Sequence, residues 1–345
     1  MARVRREWPG AVELEVTTGD GPLRALAYPA LTGRPQAGDR VLLNATALEL
    51  GLGTGGYALV VALPDRLPDS SPLGHLVKAR YTPLQATVLG ADEQGSPHHE
   101  VLRDADDLGG MPVVVADLHS ALPAILAGLR EAGPRVAAYV MLDGGALPAW
   151  FSRTAAGLRE AGWLAGTIST GQSFGGDLET VTVHTGLLAA RHVLGAEVAV
   201  VTQGPGNLGT GTRWGFSGVA CGEAVNAAAV LGGRPVASLR ISEADPRQRH
   251  RGISHHSLTA YGRVALASAD VVVPTLDGDL GTRVAGQARQ LAERHRLVTV
   301  ATAGLLDALA ACPVPLATMG RGLAQDRAYF LAAAAAGRHA AALLS

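Results

Sequence analysis

Over its first hundred residues the chain arranges apolar and polar positions in short runs: Val12 to Thr17, Leu23 to Leu31, Arg40 to Asn44, Tyr57 to Leu63 and Gln85 to Leu89. Each run has the length of a strand, and Gly19-Asp20-Gly21 and Gly38-Asp39 supply the tight reversals between them. Strands this short and this closely spaced predict a small barrel-like or sandwich domain over residues 1–95.

Near Gly110 the texture changes. Strand-length apolar runs now alternate with helix-length ones: Pro112 to Ala116, Arg135 to Leu142, Leu164 to Ser169, Glu197 to Thr202, Pro235 to Ile241, Val271 to Thr275 and Leu297 to Ala301 read as strands. Ala121 to Ala132, Ala149 to Ala161, Leu178 to Leu194, Val219 to Leu231, Ser257 to Ser268, Leu280 to His295, Leu305 to Ala311 and the Ala-rich Asp326 to Leu343 read as helices. Val113-Val114-Val115 and Val271-Val272-Val273 have no polar face, so their strands need cover on both sides. The expectation is an α/β chain: a barrel-like N-terminal β domain, then a doubly wound, mostly parallel three-layer α/β domain over residues 111–345. The polar stretch before it, with His98-His99 and Asp104 to Asp107, predicts a linker over 96–110. No internal repeat is visible.

Composition narrows the class. At 345 residues the chain exceeds one ordinary core, and 48% hydrophobic residues with a net charge of −1 describe a globular protein without the basic excess of a nucleic-acid binder. No apolar run approaches the ~20 residues of a membrane helix, and none follows the basic start Arg3 to Arg6, so neither a membrane partner nor a signal peptide is expected. Cys221 and Cys312 lack CxxC spacing, which fits a cytoplasmic location. Lys78 is the only lysine among 29 Lys and Arg residues, so arginine is the default cation and a retained lysine points to a need for a compact ammonium. A homodimer is the base-rate expectation for oligomeric state.

The candidate chemistry lies at strand ends, where parallel sheets place their ligands. Gln203 to Gly218 follows the strand ending at Thr202 and is rich in glycine. Glycines leave backbone N–H groups bare, and the helix that follows adds the positive end of its dipole, so Gly204, Gly206, Asn207, Gly209, Thr210, Thr212 and Arg213 are read as an anion-binding loop. Gly204 to Gly209 also matches GxGxxG, but it lies on an inner strand, its helix starts late and no acidic residue follows at ~20 positions. The Gly-Lys-Ser/Thr ending of a P-loop is absent too, so no cofactor is assigned.

A second loop, Ser242 to Ser257, concentrates Asp245, Arg247, His250, Arg251, His255 and His256 at another strand end. Arginines there would neutralise an anion, while one of the adjacent His255 and His256 enters the cleft; the sequence does not choose between them. Asp117, His119 and Asp143 follow two further strands, as does Gln172, and a carboxylate beside a histidine is the arrangement acid–base catalysis needs. Taken singly, Asp117 and Asp143 are explained as well by helix capping or turn formation. No HxH or HExxH spacing supports a metal among these groups, and none is expected.

Long segments resemble an uncharacterised bacterial family, domain of unknown function 3866: Gly38 to Asn44, Glu49 to Gly56, Lys78 to Gln85, Gly176 to Leu187, Gly204 to Gly218 and Asp245 to Ser257. The resemblance implies that the β and α/β regions form one unit, and it carries no activity or catalytic residue. Lys78 and the Gly-Thr loop Glu49 to Gly56 are expected to close over the main cleft from the N-terminal side. The preferred functional expectation is a hydrolase or group transferase acting on a phosphate- or carboxylate-bearing small molecule. Its alternative is a non-catalytic metabolite binder using the same anion pocket.

Overall fold

The computed structural model describes residues 2–68 and 74–344. Five strands, β1 (Ala2–Trp8), β2 (Ala11–Thr18), β3 (Gly21–Ala27), β4 (Leu42–Asn44) and β5 (Ala58–Ala62), form a mixed sheet in the order β1-β2-β3-β5-β4. Val12, Leu14 and Val16 alternate with polar residues and bury one face against Ala25, Ala27, Ala58 and Val60. The sheet is open, and no closed barrel is found among the described residues. Strand β1 is absent from the sequence reading because its run of arginines hides the alternation, and charge of that kind suits a sheet edge. A hairpin, β6 (Leu76–Lys78) and β7 (Ala86–Val88), follows.

The large sheet contains β8 (Pro112–Val115), β9 (Ala137–Leu142), β10 (Gly166–Ser169), β11 (Leu178–Glu179), β12 (Val198–Gln203) and β13 (Arg234–Ser238). A short hairpin, β14 (Ile241–Ser242) with β15 (Gly252–Ile253), interrupts the series before β16 (Asp270–Pro274) and β17 (Arg296–Val300) complete the sheet. Its eight strands run in the order β11-β10-β9-β12-β8-β13-β16-β17, and every neighbouring pair is parallel. Val113 and Val115 face the helices Val183–His192 and Ala220–Val230, while Val114 and Ala116 face Leu122–Arg130 and Arg327–Ala342. Both faces are therefore covered, as unbroken valine strands require. The Ala-rich last helix packs closely on Leu122–Arg130, because a Cβ on Gly128 would lie 1.9 Å from the Ala334 carbonyl oxygen and one on Gly337 1.9 Å from that of Ile125.

From β8 the chain winds outward to the edge strand β11, returns as β12 beside β8, and crosses to β13 on its other side. The order reverses around β8, and the carboxyl ends of β12, β8 and β13 flank the point of reversal. Two expected helices differ locally. Leu178-Glu179 pairs in the sheet, and the helix there begins after Thr182, whose hydroxyl accepts from the Thr185 amide. The helix at Ser257 begins at His255 behind a Ser254 cap and passes into a π-turn at Ala260–Val264. Within 96–110, His99–Leu102 form a short helix, and Leu108 is buried in the core of the large sheet. No helix among the described residues is long and apolar enough to cross a membrane.

Candidate active site

Asp117 stands just beyond β8, 5% exposed, with partners from three other strand ends. Its Oδ2 lies 2.9 Å from Nδ1 of His256 and 3.1 Å from Nη1 of Arg240; its Oδ1 accepts from Nδ2 of Asn207 at 3.1 Å. Gln203, the last residue of β12, donates to the Asp117 carbonyl at 2.8 Å. Ser217 bonds both the Gln203 and Asn207 side-chain oxygens, fixing their orientation. Burial works against charge on Asp117, but the bonds from His256 and Arg240 outweigh it and hold the carboxyl below its usual range. An ionised carboxylate can only accept, so Nδ1 of His256 carries a hydrogen and donates it to Asp117. The Phe216 ring stacks on His256, centroids 3.8 Å apart, and covers one face of the imidazole.

His250 and His255 complete a cluster with His256. Ring centroids are 4.5 Å apart for His255 and His256, 5.0 Å for His250 and His256, and 5.1 Å for His250 and His255. The His250 Nδ1 lies 2.7 Å from Ser254 Oγ, while Nε2 of His255 is buried with no hydrogen-bond partner among the described residues. Burial, reinforced by Arg240 and Arg247, pushes the His250 pKa down to about 3. Burial and the neighbouring His256 and Arg249 push that of His255 to about 4.

Beneath the histidines lies Asp245, fully buried and bonded to both Nε and Nη2 of Arg247, at 2.9 and 2.8 Å. Burial opposes its charge, yet the Arg247 bonds win and its pKa falls well below the ordinary value. Arg240 and Arg321 lie 3.8 and 3.6 Å from the same carboxylate. Arg247 is thus committed to an internal partner, as is the exposed Arg251, which donates to the Asp245 carbonyl. Arg249 forms no ion pair among the described residues, leaving an excess of positive charge beside the histidines.

Part of the glycine loop's backbone is satisfied internally. Thr210 N bonds the Gly215 carbonyl, Ser217 N that of Leu208, and Leu208 N the Ser217 hydroxyl, so the loop folds on itself as a small hairpin. Thr210, Thr212 and Arg213 are exposed at its tip, where the Thr212 hydroxyl accepts from Gly215 N. Gly209 bridges to Phe216. Gly204 is required by packing, since a Cβ there would lie 2.4 Å from the Ala146 carbonyl oxygen. The turn into the following helix meets an anion already present: a Cβ on Gly218 would fall 1.8 Å from Asp117 Oδ1. Gly204 to Asn207 nevertheless form one wall of a cleft of about 210 Å³, opposite Leu118, His119, Ser120 and Met319.

Asp143, Gln172, Lys78 and His119 lie outside the histidine cluster. Asp143 is exposed and accepts from the Gln172 amide at 2.9 Å, and Gln172 accepts from Arg80 N. Lys78 is buried, donating to the Ser173 and Thr180 carbonyls at 2.9 and 2.8 Å and pairing with Glu179 at 3.6 Å. Its compact ammonium fastens the β6–β7 hairpin to the large sheet, and nothing in that arrangement leaves it free to close a cleft. His119 touches the cleft, but both ring nitrogens are engaged, by Tyr139 at 2.9 Å and Ser152 at 2.7 Å. Burial holds its pKa at about 4.

Arg240 escaped the sequence reading, and Gln203, Phe216 and Ser217, though inside the glycine-rich segment it singled out, were not among its site residues. The strand-end rule that selected Asp117 applies equally to Gln203 and Arg240, whereas Arg321 and its 3.0 Å partner Asp326 join from a distant hairpin and helix start that no spacing announces.

Fold and cluster together define an α/β protein with a polar site at the switch point of a parallel sheet. The chain belongs to the family described as protein of unknown function (DUF3866), whose match covers residues 24–337, nearly its whole length. None of the curated proteins and none of the solved structures matches it.

Proposed function

We propose that the protein is an enzyme of the hydrolase or group-transferase class acting on a small molecule that bears a phosphate or carboxylate. The observation that carries the reading is the buried Asp117 carboxylate on Nδ1 of His256, which fixes the ring and leaves Nε2 as the nitrogen available for chemistry. A binding protein has no need of such a pair, whereas activation of water or a substrate hydroxyl does. The position at the switch point, beside a cleft reached through Asn207, adds to it. Arg249, which forms no ion pair among the described residues, favours an anionic substrate.

The test is a thermal-shift screen of phosphorylated and carboxylated metabolites, followed by turnover assays on those that raise the melting temperature. His256→Asn is expected to lower turnover by about 10²–10⁴, the range of a lost acid–base group or activating ligand. Turnover unchanged in that variant removes the histidine from the chemistry, and a flat screen removes the anion.

A further inference from the structure

His250, His255 and His256 offer one ring nitrogen each, all within 4.8 Å of one another. They come from the β15 hairpin and the start of the helix behind it, at sequence separations of five and six, so no short ligand motif announces them. We propose that these three imidazoles bind a divalent transition metal of the zinc type, leaving the fourth position open to water or a substrate oxygen.

Three features of the geometry support it. Each histidine has a nitrogen to give: Nδ1 of His256 is taken by Asp117 and Nδ1 of His250 by Ser254, which leaves Nε2 of each, and Nε2 of His255 is buried without a partner. A buried ring nitrogen without a partner is uncommon and calls for an occupant. Second, the bonds on the far nitrogens are those a metal-binding histidine makes, a carboxylate on one ring and a hydroxyl on another, fixing tautomer and direction. Third, the spacing suits the ion. Zinc–nitrogen bonds of about 2.0–2.1 Å set tetrahedral ligands about 3.4 Å apart, within reach of these rings by small side-chain rotations. Three imidazole ligands with no carboxylate among them favour zinc, cobalt or nickel over magnesium or calcium.

The site deepens the enzymatic reading, and its catalytic role rests on that reading, although metal binding does not. In this arrangement Nε2 of His256 is a ligand, Asp117 raises its basicity, and the open position would hold the water to be activated.

The experiment is native mass spectrometry of the full chain purified without chelator, with zinc titration by calorimetry. One equivalent is expected in the wild type, and His250→Ala, His255→Ala and His256→Ala should each weaken binding at least tenfold. His184→Ala, an exposed histidine elsewhere, should leave it unchanged. Should a buried-histidine variant fail to fold, the half-buried His255→Ala and cobalt absorption of the wild type decide the matter, a tetrahedral spectrum supporting the site and an octahedral one overturning it. No zinc bound by the wild type, or affinity retained in the folded histidine variants, overturns the proposal. Metal bound without turnover of any substrate defeats the enzymatic reading alone, while turnover by metal-free protein defeats the metal's catalytic role alone.

Discussion

Oδ2 of Asp117 lies 2.9 Å from Nδ1 of His256 although 139 residues separate them, and the same oxygen lies 3.1 Å from the Arg240 guanidinium. One carboxylate therefore neutralises a buried cation and sets an imidazole's tautomer at once. Removing it leaves Asp245, 3.8 Å away, as the one remaining ion-pair partner of the buried Arg240 among the described residues. Asp117→Ala and Arg240→Met are each expected to cost about 3–5 kcal/mol, the range for breaking a buried ion pair from one side. The double variant should cost less than the two losses added, because it leaves no orphaned charge. Urea unfolding of the four proteins measures this, and strict additivity would show that the two groups do not act as a pair.

The glycines of the 204–218 segment divide by what surrounds them. Gly218→Ala places a methyl group 1.8 Å from Asp117 Oδ1, so either the carboxylate or the helix start must move. A loss of about 1–3 kcal/mol is expected, as for an overpacked site, together with loss of activity. Gly211 sits at the loop tip with φ of +84° and only the end of the Arg249 side chain nearby. Gly211→Ala should cost about 1–2 kcal/mol through its backbone alone and leave the site intact. Equal effects on activity would mean that the loop, and not its contact with Asp117, governs the site.

The sequence carried the sheet plainly because Val113 to Val115 and Val271 to Val273 have no polar face, a pattern compatible with few other structures. Strand ends then gave Asp117, His250 and His256 by a rule about parallel sheets that needs no coordinates. Side-chain direction was another matter. His255 and His256 are equivalent as letters, and only the turn of the helix behind the Ser254 cap sends His256 to Asp117. Asp143 looks in sequence like Asp117, yet its carboxylate holds the Gln172 amide at a separate loop. The glycine loop was only partly legible for a different reason. Glycine content shows where amides can be bare, while the hydrogen bonds inside the Leu208 to Ser217 hairpin decide whether they are.

Met319 occupies a left-handed conformation, φ +47°, in a two-residue turn before Gly320, between the paired segments Ala317–Thr318 and Arg321–Gly322. Such turns favour Asn-Gly, and a side chain like that of methionine costs about 1–2 kcal/mol there. It is also exposed at the rim of the cleft formed with Gly204 to Asn207. Met319→Asn is accordingly expected to stabilise the protein by about 1 kcal/mol in thermal unfolding while raising KM for a substrate seated in that cleft. A destabilised variant with unchanged KM would show that the strain is absent and the residue uninvolved.

Glu179 and Lys78 form another buried charge pair, 3.6 Å apart and away from the histidines. Burial raises the Glu179 pKa to about 7, against which Lys78 and the Gly175 and Gly176 amides pull downward; burial lowers that of Lys78, with Glu179 and Asp143 opposing. The sign follows from proton counts. Between the ordinary value of 4.5 and about 7 the folded state holds a proton on Glu179 that the unfolded chain has lost, so this group's contribution is full below that window and is lost as pH rises through it. Lys78 acts only on the alkaline side. His119, held at about 4, runs in the opposite sense over part of the same range, so the wild-type curve alone would mislead. The informative quantity is the difference between Glu179→Gln and wild type in urea unfolding. With rising pH the variant is expected to gain on the wild type, by at most about 1.4 kcal/mol per pH unit, the limit for one proton. Any constant offset from placing an amide beside Lys78 leaves that slope untouched. Parallel curves from pH 4.5 to 7 would place the Glu179 pKa near its ordinary value and make the buried pair fully ionised.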